Sequence, residues 1–258
     1  MLSVVLATHN EEKNLAKCLE SVKDLADEII VVDGDSTDRT REIAKSFEAK
    51  VFQTTNKQNF HINKQMAMDK AKEKLVLQLD ADELVDSELK KFIKKLENSI
   101  QNKERIEAVA WWIRRKNFFC GRFLSKGGQY PDPVIRLYLN GKAHLPAKDV
   151  HEQMQVDGKT AYSEGHLLHY SNPTFADYLH KFETYTSFKA KQLNEANTRV
   201  NPITFLNFIF LKPIITFFLI YFRHKGFVDG WQGFVFAFYS GLHHSVAYLK
   251  FLKIKYAN

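Results

Sequence analysis

The stretch Leu75–Glu83, LVLQLDADE, runs from apolar residues straight into three acids within nine positions. A short leucine- and valine-rich run bounded by charged residues reads as a buried strand. Working backwards, Leu2–Ala7, Glu28–Val32 and Lys50–Gln53 have the same character, and Glu11–Lys23, Asp38–Phe47 and Phe60–Lys74 between them carry apolar positions three or four apart. The order is therefore βαβαβαβ. That alternation implies a largely parallel sheet with helices on both faces, and a ligand site outside the carboxyl ends of the strands.

Forward of LVLQLDADE, Asp86–Asn102 reads as a helix with Asp86 as its N-cap, followed by a strand over Glu107–Arg114. The segment Phe118–Asp157 is rich in Gly and Pro and contains a short strand at Val134–Leu139, a pattern of loops that cover a site. Beyond Pro173 three helices are expected, over Thr174–Thr198, Ile203–Phe222 and Val228–Lys253. This organisation divides the chain into 1–172, with a nucleotide-sugar half at 1–102 and an acceptor half at 103–172, and a helical extension at 173–258.

The 258 residues suffice for one large core that needs neither disulfide nor structural metal. The only cysteines, Cys18 and Cys120, lie far apart without zinc spacing and read as reduced thiols. A mean hydropathy of −0.34 excludes a polytopic membrane protein. The start, MLSVVLATHNEE, lacks a basic leader region and reads as a strand, so a cytoplasmic location is expected. From Asn201 onward six basic residues face one acid, and 11 of the 21 Phe residues lie there. A basic, aromatic tail suits an anionic lipid surface. Nucleic acid is a poorer partner, since these basic residues are flanked by long apolar runs and no helix-turn-helix or zinc-finger spacing appears.

Chemistry concentrates at the strand ends. Asp80 and Asp82, two residues apart, can project from one strand end toward a shared ligand, an arrangement suited to Mg²⁺ or Mn²⁺ with phosphate oxygens or, more simply, to solvated acids. In IIVVDGDSTDRT, Thr37 and Asp38 are explained as helix N-terminal residues, whereas Asp33 ends the strand and could accept hydrogen bonds from a base or ribose. Asn10 and Glu11 follow the first strand, so three successive strand ends carry polar groups. No GxGxxG follows the first strand, GKT at 158–160 has Gln153 where a P-loop glycine belongs, and Leu84 replaces the Thr of an Asp-x-Asp-x-Thr phosphatase.

ATHNEE, DEIIVVDGDSTDRT and FHINKQMAMDKAKEKLVLQLDADE, in that order and spacing, resemble family 2 glycosyltransferases, which have the GT-A fold. GGQYPDPVIRLYLNGKAHL, DVHEQMQVDGK and GHLLHYS extend the likeness to the subgroup related to lipopolysaccharide-core β-1,4-glucosyltransferases, over nearly the whole chain. One departure is ATHN where Pro-Thr-Tyr-Asn is commoner. The resemblance implies an α/β GT-A architecture, Rossmann-like with a mostly parallel central sheet, carrying a C-terminal helical extension. It implies contacts to the nucleoside of a UDP-sugar by Thr8, Glu11 and Asp33, and to the nucleotide or its pyrophosphate by Lys64. Asp80 and Asp82 match the acid pair, with Asp82 the direct ligand of the divalent metal and His169 a third ligand.

An inverting transfer needs a base on the acceptor side, where a positioned carboxylate contributes roughly 10²- to 10⁴-fold. Glu152 in DVHE is the first candidate and Asp149 the second, unless Glu152 pairs with Arg136 or another cation. Arg136 and Lys126 are candidates for screening diphosphate charge, and His166 is the alternative imidazole to His169. Ile203–Phe222 is long enough to span a bilayer, but Lys212-Pro213 at its middle favours an interfacial position. The expectation is an inverting hexosyltransferase, using UDP-glucose first, acting on a lipid-linked saccharide at the inner face of the cell membrane. The alternatives are a sugar-1-phosphate nucleotidyltransferase, a non-catalytic docking module that keeps a nucleotide pocket, and, for the tail, packing on itself or on a second copy.

Overall fold

A computed structural model of the chain describes residues 1–57, 59–146 and 153–256. Two compact units emerge, one of Met1–Arg115 with Pro133–His169, the other of Lys116–Asp132 with Tyr170–Asn258.

The first unit opens with β1 (Leu2–Thr8), α1 (Leu15–Glu20), β2 (Glu28–Asp33), α2 (Thr40–Ser46), β3 (Lys50–Gln53), α3 (Phe60–Met68) and β4 (Leu75–Leu79). It continues with β5 (Glu83–Val85), α4 (Ser87–Gln101) and β6, which starts at Ala110 and runs to Phe119 in the second unit. After β7 (Arg122–Phe123) come β8 (Asp132–Leu139), the short β9 (Ala143–His144) and β10 (Gln155–Val156), and the long β11 (Thr160–Asn172). The main sheet has the order β3-β2-β1-β4-β8-β6-β11-β5.

Strands β1 to β4 pair in parallel, with Ser3 opposite Glu28 and Leu2 opposite Leu75. The expectation of a largely parallel sheet holds for this half. Beyond β4 the sheet is mixed: β8 runs antiparallel to β4, with Leu75 opposite Leu139, and β5 runs antiparallel to β11. Successive side chains of a strand point to opposite faces. Accordingly Leu2, Val4 and Leu6 of β1, Ile29 and Val31 of β2, and Leu75, Leu77 and Leu79 of β4 join one core with Leu15 and Leu19 of α1 and Leu89 and Ile93 of α4. Val5, Ile30, Val32 and Val76 point the other way, onto Ala67 and Met68 of α3. Apolar runs without alternation are what a sheet covered on both faces demands.

Helix α3 stops at Met68, short of the Lys74 that periodicity suggests. The backbone N–H of Lys72 donates to Glu28 Oε1 at 2.7 Å and that of Glu73 to Ser3 Oγ at 3.0 Å, so these donors serve β1 and β2 instead of a helix. Asp86 is the N-cap of α4, accepting from Leu89 N at 2.8 Å. Gly165, in β11 with φ +76°, lies so close to that cap that an added Cβ would fall 2.1 Å from Leu89 N.

In the second unit α5 (Phe175–Glu195) starts at a capping box formed by Thr174 and Asp177. A 22-residue helical run, Pro202–Arg223, and a terminal helix, Gly230–Tyr256, follow. Pro213 has no N–H for the carbonyl one turn back, and a π-helical turn, Asn207–Leu211, precedes it. The freed Ile209 carbonyl accepts Ser245 Oγ from the terminal helix at 3.2 Å. Gly241 lets the two helices approach, since a Cβ there would sit 2.6 Å from the Pro213 carbonyl oxygen. Asp229 is buried and accepts the backbone N–H groups of Ser125 and Lys126 at 2.8–3.0 Å, so Lys126 belongs to this unit.

Candidate active site

Parallel pairing brings the ends of β1, β2 and β4 side by side, because Thr8 lies opposite Asp33 and Leu6 opposite Leu79. Thr8 Oγ1 donates to Asp33 Oδ2 at 3.3 Å. Asp33 is fully buried and also accepts from Ser36 N at 3.0 Å and Ser36 Oγ at 2.5 Å. Glu11 follows β1, its N–H bonded to Thr40 Oγ1 at 2.7 Å and its carboxylate to Asn14 Nδ2 at 2.8 Å. Asn10, at φ +55°, accepts Thr37 N at 2.8 Å and so ties the β1 loop to the β2 loop. Gly34 is enclosed there, 3.1 Å from Asn63 Nδ2 measured from an added Cβ.

Asp80 sits one residue past β4 and binds two cations at once. Lys64 Nζ, from α3, lies 2.5 Å from Oδ1, and Arg136 Nη2, from β8, lies 2.5 Å from Oδ2. Burial opposes ionisation of Asp80, but Arg136 and Lys64 outweigh it and hold the carboxyl well below the usual carboxylate range. Burial lowers the Lys64 ammonium from its ordinary value, with Asp80 pulling the other way. For Arg136 the same desolvation is overcome by Asp80 and Glu83, which push it up.

Asp82 has a partner on β11. Its Oδ2 lies 3.3 Å from His169 Nε2, carried by β11. Asp80 and Asp82 flank the turn between β4, which ends at Leu79, and β5, and His169 acts electrostatically on Asp80 as well as pairing with Asp82. The 3.3 Å is an ion-pair distance; two donors bound at right angles to one Mg²⁺, each at about 2.1 Å, stand about 3 Å apart, so the same two side chains could serve as two ligands of a divalent cation. Among the described residues no cluster of three or more His, Cys, Asp or Glu could hold a metal. The remaining positions would fall to substrate oxygens and water, the usual state of Mg²⁺ at diphosphates. His166 has a different place, with Nδ1 3.1 Å from Asp86 Oδ2 beside the α4 cap.

Glu152 and Asp149 lie outside the described residues. Glu83 and Arg115 were missed by sequence reasoning. Glu83 is fully buried, with Oε1 3.2 Å from Arg115 Nη1 and 3.3 Å from Arg136 Nη2. Its signal was the third acid of DADE, directly after the pair; Arg115, in the unbroken polar run Arg114–Asn117, gave none.

The model of the family described as Glycosyl transferase family 2 matches residues 3–144, more than half of the chain and all of the strand-end cluster. The chain belongs to glycosyltransferase family 2. As a family 2 glycosyltransferase with the GT-A fold it has relatives along nearly its full length. It is 29% identical over 250 residues to the lipopolysaccharide core biosynthesis glycosyltransferase LpsC of Rhizobium meliloti, covering 92% of this chain and 89% of that one. A glycosyltransferase of Rickettsia typhi without assigned activity is 30% identical over 245 residues, covering 91% of this chain and 80% of that one. Among solved structures, S. aureus TarS 1-349 in complex with UDP aligns with a TM-score of 0.49 at 16% identity, covering 100% of this chain and 92% of that one.

Proposed function

We propose that this glycosyltransferase is an inverting hexosyltransferase that moves a hexose, glucose first, from a UDP-sugar to a lipid-linked saccharide such as lipopolysaccharide core. The observation that carries the reading is the pairing of Asp82 with His169 at 3.3 Å, in the same unit as the Lys64–Asp80–Arg136 cluster. Asp82 and His169 would hold Mg²⁺ or Mn²⁺, which when bound neutralises the diphosphate and stabilises it as a leaving group. Lys64 and Arg136 add positive charge for the same diphosphate, and Asp80 keeps both in place. Thr8, Glu11 and Asp33 line the nucleoside side. Glu152, with Asp149 as the second candidate, takes the proton from the acceptor hydroxyl as its oxygen attacks the anomeric carbon opposite UDP.

The acceptor class is supported by the name of LpsC, a lipopolysaccharide core enzyme. Placement at an anionic membrane surface is supported by the second unit. Pro202–Arg223 is the one helix among the described residues long and apolar enough to cross a membrane, and 6% of its apolar window is buried. Ile203, Leu206, Phe210, Ile214, Phe218 and Phe222, spaced three or four apart, form an exposed stripe. Lys212 lies midway along the run, and a central charge of that kind costs roughly 2.5–3.5 kcal/mol to insert, which favours lying in the interface over spanning. In this reading residues 1–172 perform transfer and 173–258 hold the enzyme at the inner membrane face.

Incubation with individual UDP-hexoses, Mn²⁺ and truncated lipopolysaccharide tests the reading. UDP release that depends on the acceptor, with a product of inverted anomeric configuration, is expected. Glu152→Gln should cut transfer at least about 10²-fold while UDP binding persists. Retention of configuration, or a Glu152→Gln rate close to that of the unaltered enzyme, would refute the assignment.

A further inference from the structure

Glu83 has no solvent exposure at all. A carboxylate so placed is costly unless cations and donors surround it, and each of its oxygens has a partner. Oε2 accepts the backbone N–H of Asp80 at 3.0 Å. Oε1 faces Arg115 Nη1 at 3.2 Å and Arg136 Nη2 at 3.3 Å. The Glu83 backbone lies opposite His169 in the β5–β11 ladder. One residue therefore touches the turn that bears Asp82, the guanidinium that grips Asp80 and the strand that carries His169.

Neutralising two arginines would not require a bond to the Asp80 N–H. Holding the turn alone would not require charge, since an amide oxygen accepts one N–H equally well. A carboxylate does both, whereas an amide would aim its own N–H₂ at arginines that can only donate.

We propose that Glu83 is a positioning residue of the donor site: by holding the Asp80 N–H and the Arg136 guanidinium together, it fixes the acid turn so that Asp82 and His169 present their donor atoms jointly to the divalent cation. The inference rests on the donor-site reading above. It predicts that Glu83 governs the coupling between metal and nucleotide, a quantity that a merely structural residue would leave alone.

Calorimetry of UDP binding with Mn²⁺ and in EDTA gives that coupling as a ratio of affinities, and thermal melts of the same proteins report folding. In Glu83→Gln the ratio should fall at least tenfold. In Arg115→Gln, which removes one Glu83 partner and leaves Arg136 and the Asp80 N–H in place, it should fall by two- to threefold. An unchanged ratio in a folded Glu83→Gln overturns the proposal, whatever its melting temperature. If Glu83→Gln does not fold, Arg115→Gln decides alone, and a ratio equal to that of the unaltered protein overturns the proposal. A ratio of one in the unaltered protein removes the metal from the donor site and the proposal with it, so the two failures are distinguishable.

Discussion

The strands β1, β2 and β4 and the helical run Pro202–Arg223 are both rich in apolar residues, yet they dispose of them in opposite ways. In the strands Val4, Leu6, Val31, Leu77 and Leu79 are fully buried. In the run Ile203 is 80% exposed, and Phe210, Ile214 and Phe218 are each more than half exposed. Fully burying one such side chain stabilises a protein by about 1.5–3 kcal/mol. The strands obtain that within their own unit. For the exposed stripe of the run the gain is still available to a surface outside the chain, and the lipid-facing role proposed above rests on that contrast. The proposed site follows the same division, since Asp82, His169, Lys64, Arg136 and Glu83 all belong to the first unit.

The largest effect is expected where the first unit tolerates no added atom. Gly165→Ala would place a Cβ 2.1 Å from Leu89 N at a positive φ, and a loss of about 3–5 kcal/mol in urea unfolding is expected. A loss under about 1 kcal/mol would mean that β11 and the α4 cap are not packed as described. Leu77→Ala, in the core, should cost about 2–5 kcal/mol, whereas Ile214→Ala on the stripe should stay within about 0.5 kcal/mol in aqueous buffer and weaken sedimentation with anionic liposomes. Equal losses for the two would show that a protein surface covers the stripe in solution. Sedimentation should weaken in high salt without vanishing, because salt screens the basic residues and not the apolar contact. A smaller effect is expected at Glu28. Burial opposes its ionisation, but Lys50 Nζ at 2.7 Å, Ser3 Oγ at 2.6 Å and the Lys72 N–H at 2.7 Å outweigh it and lower its pKa. A depressed folded-state pKa stabilises above the unfolded value, near 4.3, and that contribution fades as pH falls through the folded value. Glu28→Gln should therefore cost about 1–2 kcal/mol at pH 7, with the gap closing in acid. A gap independent of pH would refute the ionic origin.

Much of the first half was legible because its signals are local. Strand ranges at Lys50–Gln53 and Leu75–Leu79 and the Asp86 cap follow from apolar runs and a side-chain acceptor, and the structure has them at the same positions. The antiparallel half was not legible, since β5 is three residues long and its pairing with β11 joins residues about eighty positions apart. The same distance hid part of the site. His169 and Asp82 were each singled out, but nothing local in DADE says that Asp80 will close on Lys64 and Arg136 while Asp82 turns to β11. Arg115 carried no signal because its meaning lies in a buried acid on another strand.

The claim at the centre of this account is that a divalent cation at Asp82 and His169 joins the protein to the diphosphate of its donor. Titration of UDP into the protein with Mn²⁺, into the same protein in EDTA, and into Asp82→Asn with Mn²⁺ tests it directly. The account predicts that affinity falls at least tenfold, about 1.4 kcal/mol, both in EDTA and in the variant. Binding of equal strength in all three titrations would contradict it.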